Sequence, residues 1–434
     1  MNIVSRERSQ SRTKPRQDAR DPQFDCVALL LQGGGALGAY QAGVYEGLAE
    51  AGLHPDWVAG ISIGAINAAI IAGNAPQARL DMLRGFWEQV TSDPVWGWTI
   101  CGLPDVKSWL GRSPGEWPPF GLAELWNAFG VHAPTEGPGG GWFAPRGDMA
   151  RAFANQVNAI LSAAFGAPNF YSPRPLNPWL QPAGTPDATS YFDVSPLKTT
   201  LERFVDFERL NSGETRFSVG AVNVATGNFV YFDNTTHRIR PEHVMASGAL
   251  PPGFPAIEID GEVYWDGGLV SNTPLQWVLE CEPRRDTLAF QVDLWNARGA
   301  LPRTMAEVAT RQKEIQYSSR TRANSDRFKS AQKIRNALSD LLAQVPEDLR
   351  QTREYEMLRP LADRKVYNII QLIYRSRGYE GGSKDFEFSA RSMQEHWLAG
   401  RQDTIRTLRH PEILERPTTA EGVFTFDLGI QGRE

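Results

Sequence analysis

From Cys26 onward the chain changes to an unbroken apolar run, Val27 to Leu31, that suits a strand buried on both faces of a parallel sheet. It runs into Gly33-Gly34-Gly35-Ala36-Leu37-Gly38. Ala39 to Leu48 then has helical spacing, with Leu37, Tyr40, Val44 and Leu48 on one face and Gly52 as the stop. The same grammar repeats at once. Trp57, Val58 and Ala59 form a short apolar strand, Gly60-Ile61-Ser62-Ile63-Gly64 turns sharply, and Ala65 to Ala72 is a small-residue helix ending at Gly73. Two consecutive βα units predict a mainly parallel α/β sheet.

Sheet-like segments resume at Arg216 to Val222 and at Phe229 to Phe232. A hairpin follows from Ile257 to Trp265, with Asp260-Gly261 as its two-residue turn, and its second strand delivers Asp266 at its end. Thr287 to Leu294 reads as a further buried strand. Thr304 with Glu307 forms a capping box that opens a long helical stretch to about Ala343. The segment Val366 to Tyr374, a helix from about Ser389 to Leu408 and a strand from Val423 to Phe426 complete the pattern. There is no internal repeat.

Between 91 and 190 the character differs: 27 of those 100 positions are Gly or Pro, and seven of the 13 tryptophans lie there (Trp96, Trp98, Trp109, Trp117, Trp126, Trp142, Trp179). That predicts an insertion of loops and short helices, either packed on its own domain or a lipid-facing lid. Residues 1–25 read as a disordered, mildly basic tail without the apolar core of a secretory signal. The expected domains are this tail, a catalytic unit over 26–300 that includes the insertion, and an extension over 301–434. Nine Lys or Arg against three Asp or Glu over 303–335 read as a solvated helix face rather than a phospholipid-binding one.

Composition narrows the function classes. The chain has 434 residues, enough for two or three domains, and no apolar run reaches the ~18 to 20 residues of a membrane-spanning helix. A net charge of −5 supplies no basic field for nucleic acid, so that partner is not expected. Three cysteines, Cys26, Cys101 and Cys281, odd in number and without a CxxC, argue against a disulfide framework or a zinc site. A reducing, cytoplasmic setting fits, with no metal or cofactor called for and the oligomeric state undetermined.

Three constellations carry chemistry. Gly60-Ile61-Ser62-Ile63-Gly64 is a GxSxG elbow, whose flanking glycines Gly60 and Gly64 let the chain turn tightly enough to present the serine hydroxyl at a helix N-terminus. The alternative is a glycine-lined turn with an ordinary N-cap serine. Gly33 to Gly38 presents successive N–H groups to an anion, which suits an oxyanion hole. It also satisfies GxGxxG at Gly33, Gly35 and Gly38, but the acid expected at the end of the second strand of a dinucleotide-binding unit is replaced by Gly60 and Ser62. Asp266-Gly267-Gly268 puts an acid at a strand end before flexible backbone.

These three, in this order, resemble the marks of the patatin-like phospholipase family. The text around the aspartate is similar too, in Ala246-Ser247-Gly248-Ala249-Leu250-Pro251, Phe254-Pro255 and Asn272-Thr273-Pro274-Leu275. Asn296-Ala297-Arg298 and Ala420-Glu421-Gly422 resemble marks of a bacterial subgroup with a C-terminal extension. Where many members carry Arg or Lys in the glycine loop, this chain has Leu37. The resemblance implies a three-layer α/β/α hydrolase with a mainly helical C-terminal extension, acting on lipid acyl esters as a phospholipase A or related carboxylic ester hydrolase. It implies Ser62 as nucleophile and Asp266 as its base, with Gly33, Gly34, Gly35, Gly38 and Ile63 around the oxyanion and Gly267 and Gly268 in support. A lipid is the implied partner, free or at a membrane surface.

Two alternatives stay open. One is an α/β-hydrolase esterase with a Ser-Asp-His triad, for which His396 and His410 come late enough in the chain. The other is a lipid-binding protein that keeps the pocket without hydrolysis.

Overall fold

The computed structural model describes residues 23–92, 147–318, 321–419 and 421–428. The tail up to residue 22, six of the seven tryptophans of the insertion, Cys101, His132 and Ala420 lie outside them. The strands are β1 (Cys26–Leu31), β2 (Trp57–Gly60), the two-residue pair β3 (Ser172–Pro173) and β4 (Phe192–Asp193), β5 (Arg216–Asn223), β6 (Phe229–Asp233), β7 (Ile257–Ile259), β8 (Glu262–Asp266), β9 (Thr287–Asp293), β10 (Tyr367–Ile373) and β11 (Val423–Asp427). The helices are α1 (Ala39–Glu50), α2 (Ile63–Ala72), α3 (Arg79–Val90), α4 (Asp148–Phe165), α5 (Ser195–Phe204), α6 (Phe207–Ser212), α7 (Pro241–Ser247), α8 (Leu275–Glu280), α9 (Met305–Tyr317), α10 (Thr321–Ala343), α11 (Arg353–Leu358) and α12 (Ala390–Thr407).

The main sheet runs β11-β10-β9-β1-β2-β5-β8-β7, with β6 on β5, and every pairing from β11 through to β5 is parallel. Alternation along β1 assigns its two faces: Val27, Leu29 and Leu31 enter the core that holds α1, α2 and α3, while Cys26, Ala28 and Leu30 meet α8, Phe328 of α10 and Tyr367. Helices therefore cover both faces, and the fold is a three-layer α/β/α sandwich with a mainly parallel sheet.

The right-hand half of the sheet positions the chemistry. Val219 of β5 pairs with Gly60 on one edge and Phe232 on the other, and Ala221 pairs with Asp266 and Val230. Since β6 occupies one edge of β5 throughout, β2 and β8 share the opposite edge. β2 runs along it and stops at Gly60; β8 arrives from the other direction and stops at Asp266. The two strand ends meet head-on, so the residues just past Gly60 and at Asp266 become neighbours.

The segment after residue 301 is mainly helical, and it also supplies β10 and β11 to the same sheet. The long helix expected from Thr304 is interrupted: Thr304 caps α9 through the Glu307 N–H as expected, but α9 ends at Tyr317, where Ser318 turns extended, and α10 is a separate helix. α12 lies on α1 at glycine contact distance. A Cβ built on Gly43 would run into the Trp397 carbonyl, and one on Gly400 into the Tyr40 carbonyl. Trp397 Nε1 donates to Glu46 at 2.5 Å and Tyr40 Oη to Asp403 at 2.9 Å across the same contact. Replacing glycine by alanine inside a helix ordinarily gains about 1 kcal/mol. Here Gly400→Ala is expected to reverse that sign and lose about 1 to 3 kcal/mol through overpacking, read as a lower midpoint in thermal or urea unfolding. A raised midpoint would contradict the close helix contact.

Candidate active site

β2 ends at Gly60 and α2 begins at Ile63, so the chain must reverse within two residues. Ser62 takes the strain, at φ 55° and ψ −123°, a backbone conformation that side-chain-bearing residues rarely adopt. Neither neighbouring glycine has room for a Cβ: at Gly60 it would strike the Gly64 backbone, and at Gly64 the Leu31 carbonyl. The turn is braced from outside, because the Ser62 N–H donates to Ser247 Oγ at 2.9 Å and that hydroxyl donates to the Gly220 carbonyl at 2.6 Å. Ser62 Oγ is left to face a cavity.

Asp266, brought in by β8, is 3% exposed. Its carboxylate accepts the Gly268 N–H at 2.7 Å, and the nearby Ser62 hydroxyl also favours its charged form. Burial disfavours the charged form and outweighs both of these influences, pushing this carboxyl up from the usual range to about 7. Gly267 lets the strand end approach, since a Cβ there would sit 2.6 Å from the Gly220 carbonyl oxygen.

The glycine loop follows β1. Gly33 is locked: its N–H donates to the Asn272 carbonyl at 3.3 Å, and its own carbonyl accepts from Asn272 Nδ2 at 3.1 Å and Trp295 Nε1 at 2.9 Å. The N–H groups of Gly34, Gly35 and Ile63 have no acceptor among the described residues. Gly35 stands at φ +56°, where only glycine is at ease. Gly38 lies apart from these groups, at the start of α1 against Ile63 and Trp87.

Gly33, Gly34, Gly35, Ser62, Ile63, Asp266 and Gly268 line one cavity of about 470 Å³; Gly38, Gly60, Gly64 and Gly267 are not among its lining residues. Phe170, Tyr171, Phe192, Phe254 and Phe388 form one side of it, with contacting ring centroids 4.9 to 6.2 Å apart. Lys313, Tyr317 and Asp385, all from beyond residue 301, form part of the other. An apolar chamber opening on the Ser62 hydroxyl and on N–H groups that have no acceptor among the described residues can take an acyl chain and stabilise an oxyanion.

Trp295, Lys313, Tyr317, Asp385 and Phe388 are not among the residues expected from sequence. Lys313 belongs to the basic run read as a solvated face, yet it bonds Asp385 at 2.6 Å beside the glycine loop. Among the described residues no histidine lines the cavity. His396 Nε2 pairs with Glu380 at 3.1 Å, His410 Nδ1 with Glu412 at 3.1 Å, and His54 Nδ1 with Tyr45 at 3.2 Å. His243 caps α7 through the Arg240 N–H, and burial pushes its pKa down to about 4.

With this geometry in place, comparison with known proteins gives consistent results. A family model described as patatin-like phospholipase matches residues 29–278, and one described as patatin phospholipase matches residues 315–420. Lysophospholipase nte1 of Aspergillus terreus is 51% identical over 49 residues, which is 11% of this chain and 3% of that protein. The chain thus spans a small fraction of that relative's length. VipD from Legionella pneumophila aligns in structure over 94% of this chain and 73% of its own, at 14% identity and a TM-score of 0.36.

Proposed function

The chain belongs to the patatin-like phospholipase family, a family of lipid hydrolases, and on that premise we propose that it cleaves lipid acyl esters with Ser62 and Asp266 as a two-residue catalytic unit. The observation that carries the reading is that the buried Asp266 carboxylate shares one cavity with the hydroxyl of a serine held at a strained strand-to-helix turn.

Ser62 Oγ attacks the acyl carbonyl while its proton passes to Asp266. The carbonyl oxygen becomes an oxyanion received by the N–H groups of Gly34, Gly35 and Ile63. Collapse of the tetrahedral adduct breaks the ester bond, and Asp266 returns the proton to the departing alcohol. Water then attacks the acyl-serine, giving its proton to Asp266, and a second collapse releases the carboxylic acid and restores the hydroxyl. A carboxylate at its usual pKa of about 3.9 is a weak base for this work; burial brings Asp266 close to neutrality, where it accepts a proton far more readily. The aromatic wall supports an acyl chain as the apolar part of the substrate.

The insertion is proposed to meet the lipid surface. Leu176, Trp179 and Leu180 are 60%, 84% and 81% exposed, which is costly in water and favourable at an interface. Among the described residues no helix is long and apolar enough to cross a membrane.

The test is hydrolysis of a panel of lipid esters together with fluorophosphonate labelling of Ser62, followed by a pH profile. Asp266 must be ionised to accept the proton, so kcat/KM is expected to rise about tenfold per pH unit below about 7 and to level off above it. A profile flat from pH 5 to 9 would remove Asp266 as the base, and failure to label Ser62 would remove the nucleophile.

A further inference from the structure

The segment before α12 reaches back to the glycine loop. The Asp385 carbonyl accepts the Ala36 N–H at 2.7 Å, and Gly35 packs so closely beneath it that a Cβ there would collide with the same oxygen. Holding Ala36 N–H fixes the peptide plane that directly follows the Gly35 N–H. The Asp385 side chain is in turn fixed by α9: Lys313 Nζ donates to its carboxylate at 2.6 Å and to the Gly382 carbonyl at 3.2 Å. One residue along, Lys384 Nζ donates to Glu314 at 2.7 Å and Ser376 Oγ at 2.6 Å. α9 has no fully buried residue, so these polar ties, with Tyr317 packed on Trp295, take the place of an apolar seam.

Glycine peptides rotate easily, and an oxyanion donor works only when aimed at the developing charge. We propose that Lys313 is a positioning residue: through Asp385 it holds the Gly35–Ala36 peptide so that the Gly34 and Gly35 N–H groups face the acyl oxygen. The segment after residue 301 thereby completes the active site. This rests on the oxyanion reading given above.

A misplacement of about 1 Å can cost about 10²-fold in rate. Lys313→Met is therefore expected to lower kcat on a soluble acyl ester about 10- to 100-fold, with KM changed less than about threefold, while far-UV circular dichroism stays unchanged. Phosphonylation of Ser62 should slow in parallel. Lys313→Arg, which keeps a donor for Asp385, should recover most of the rate, and Asp385→Asn, which keeps the backbone carbonyl but removes the charge, should lose less than Lys313→Met. If Lys313→Met does not fold, Asp385→Asn decides the matter: a kcat lowered several-fold with KM near wild type upholds the positioning role, and wild-type kcat overturns it. Wild-type kcat in folded Lys313→Met, or a rise in KM alone, overturns the positioning role. A wild-type activity that survives Ser62→Ala instead overturns the reading of the site itself, and the two failures are distinct.

Discussion

Ser62→Ala is expected to reduce kcat on a soluble acyl ester by about 10⁴-fold or more, and Asp266→Asn by a similar factor, with KM little changed. The elbow would keep its shape, because the brace from Ser247 acts on the Ser62 N–H and not on the hydroxyl. The double variant should be barely slower than either single one, since two groups that act as one unit are lost together. Steady-state assays on folded single variants decide this, and near-wild-type turnover by either would remove it from the mechanism. Asp266→Asn carries a second expectation of opposite direction. The carboxyl's folded pKa is raised to about 7, so its contribution to stability is full below the unfolded value near 4 and is lost as pH rises through about 7. At pH 8 the buried charge is a burden that Asn does not bear. The inactive variant should therefore melt above the wild type at pH 8, and the difference should shrink at pH 5.

Gly35→Ala ranks next. Its Cβ meets two obstacles at once, a positive φ and the Asp385 carbonyl, whereas Gly34 is extended and a Cβ there meets Leu294 Cδ1 at 2.8 Å, a side-chain terminus that can shift. Losing one oxyanion donor costs about 10² to 10³ in kcat. Gly35→Ala should fall in that range or below it in activity, and Gly34→Ala should lose less. Phosphonylation of Ser62 should slow in both without vanishing. Full kcat in both variants would assign the glycine loop another task.

The parts of the fold legible in the sequence are those written in local pattern. The apolar run to Leu31, the elbow around Ser62 and the Asp260-Gly261 turn all stand where periodicity and turn residues put them; Asp260 and Gly261 both take the positive φ that such a turn demands. The meeting of β2 and β8 was not legible, because it depends on which edge of β5 each strand takes, and edge choice leaves no mark on the alternation within a strand. Lys313 was misread for a similar reason. A lysine among other cations looks solvated until its partner, 72 residues away, is known.

The interlocked glycines of α1 and α12 set a schedule for synthesis. α1 leaves the ribosome well before α12, because Arg401, which pairs with Glu50 across that contact, is 351 residues further on. At about 5 to 20 residues per second, roughly 20 to 70 s pass before the covering helix exists. For the earlier part of that interval β1 also waits for β9, with an open parallel edge and a bare helix face side by side. Contacts this distant in sequence make for slow closure, and the nascent chain is most exposed to aggregation and to chaperone capture in the period before β9 and α12 arrive.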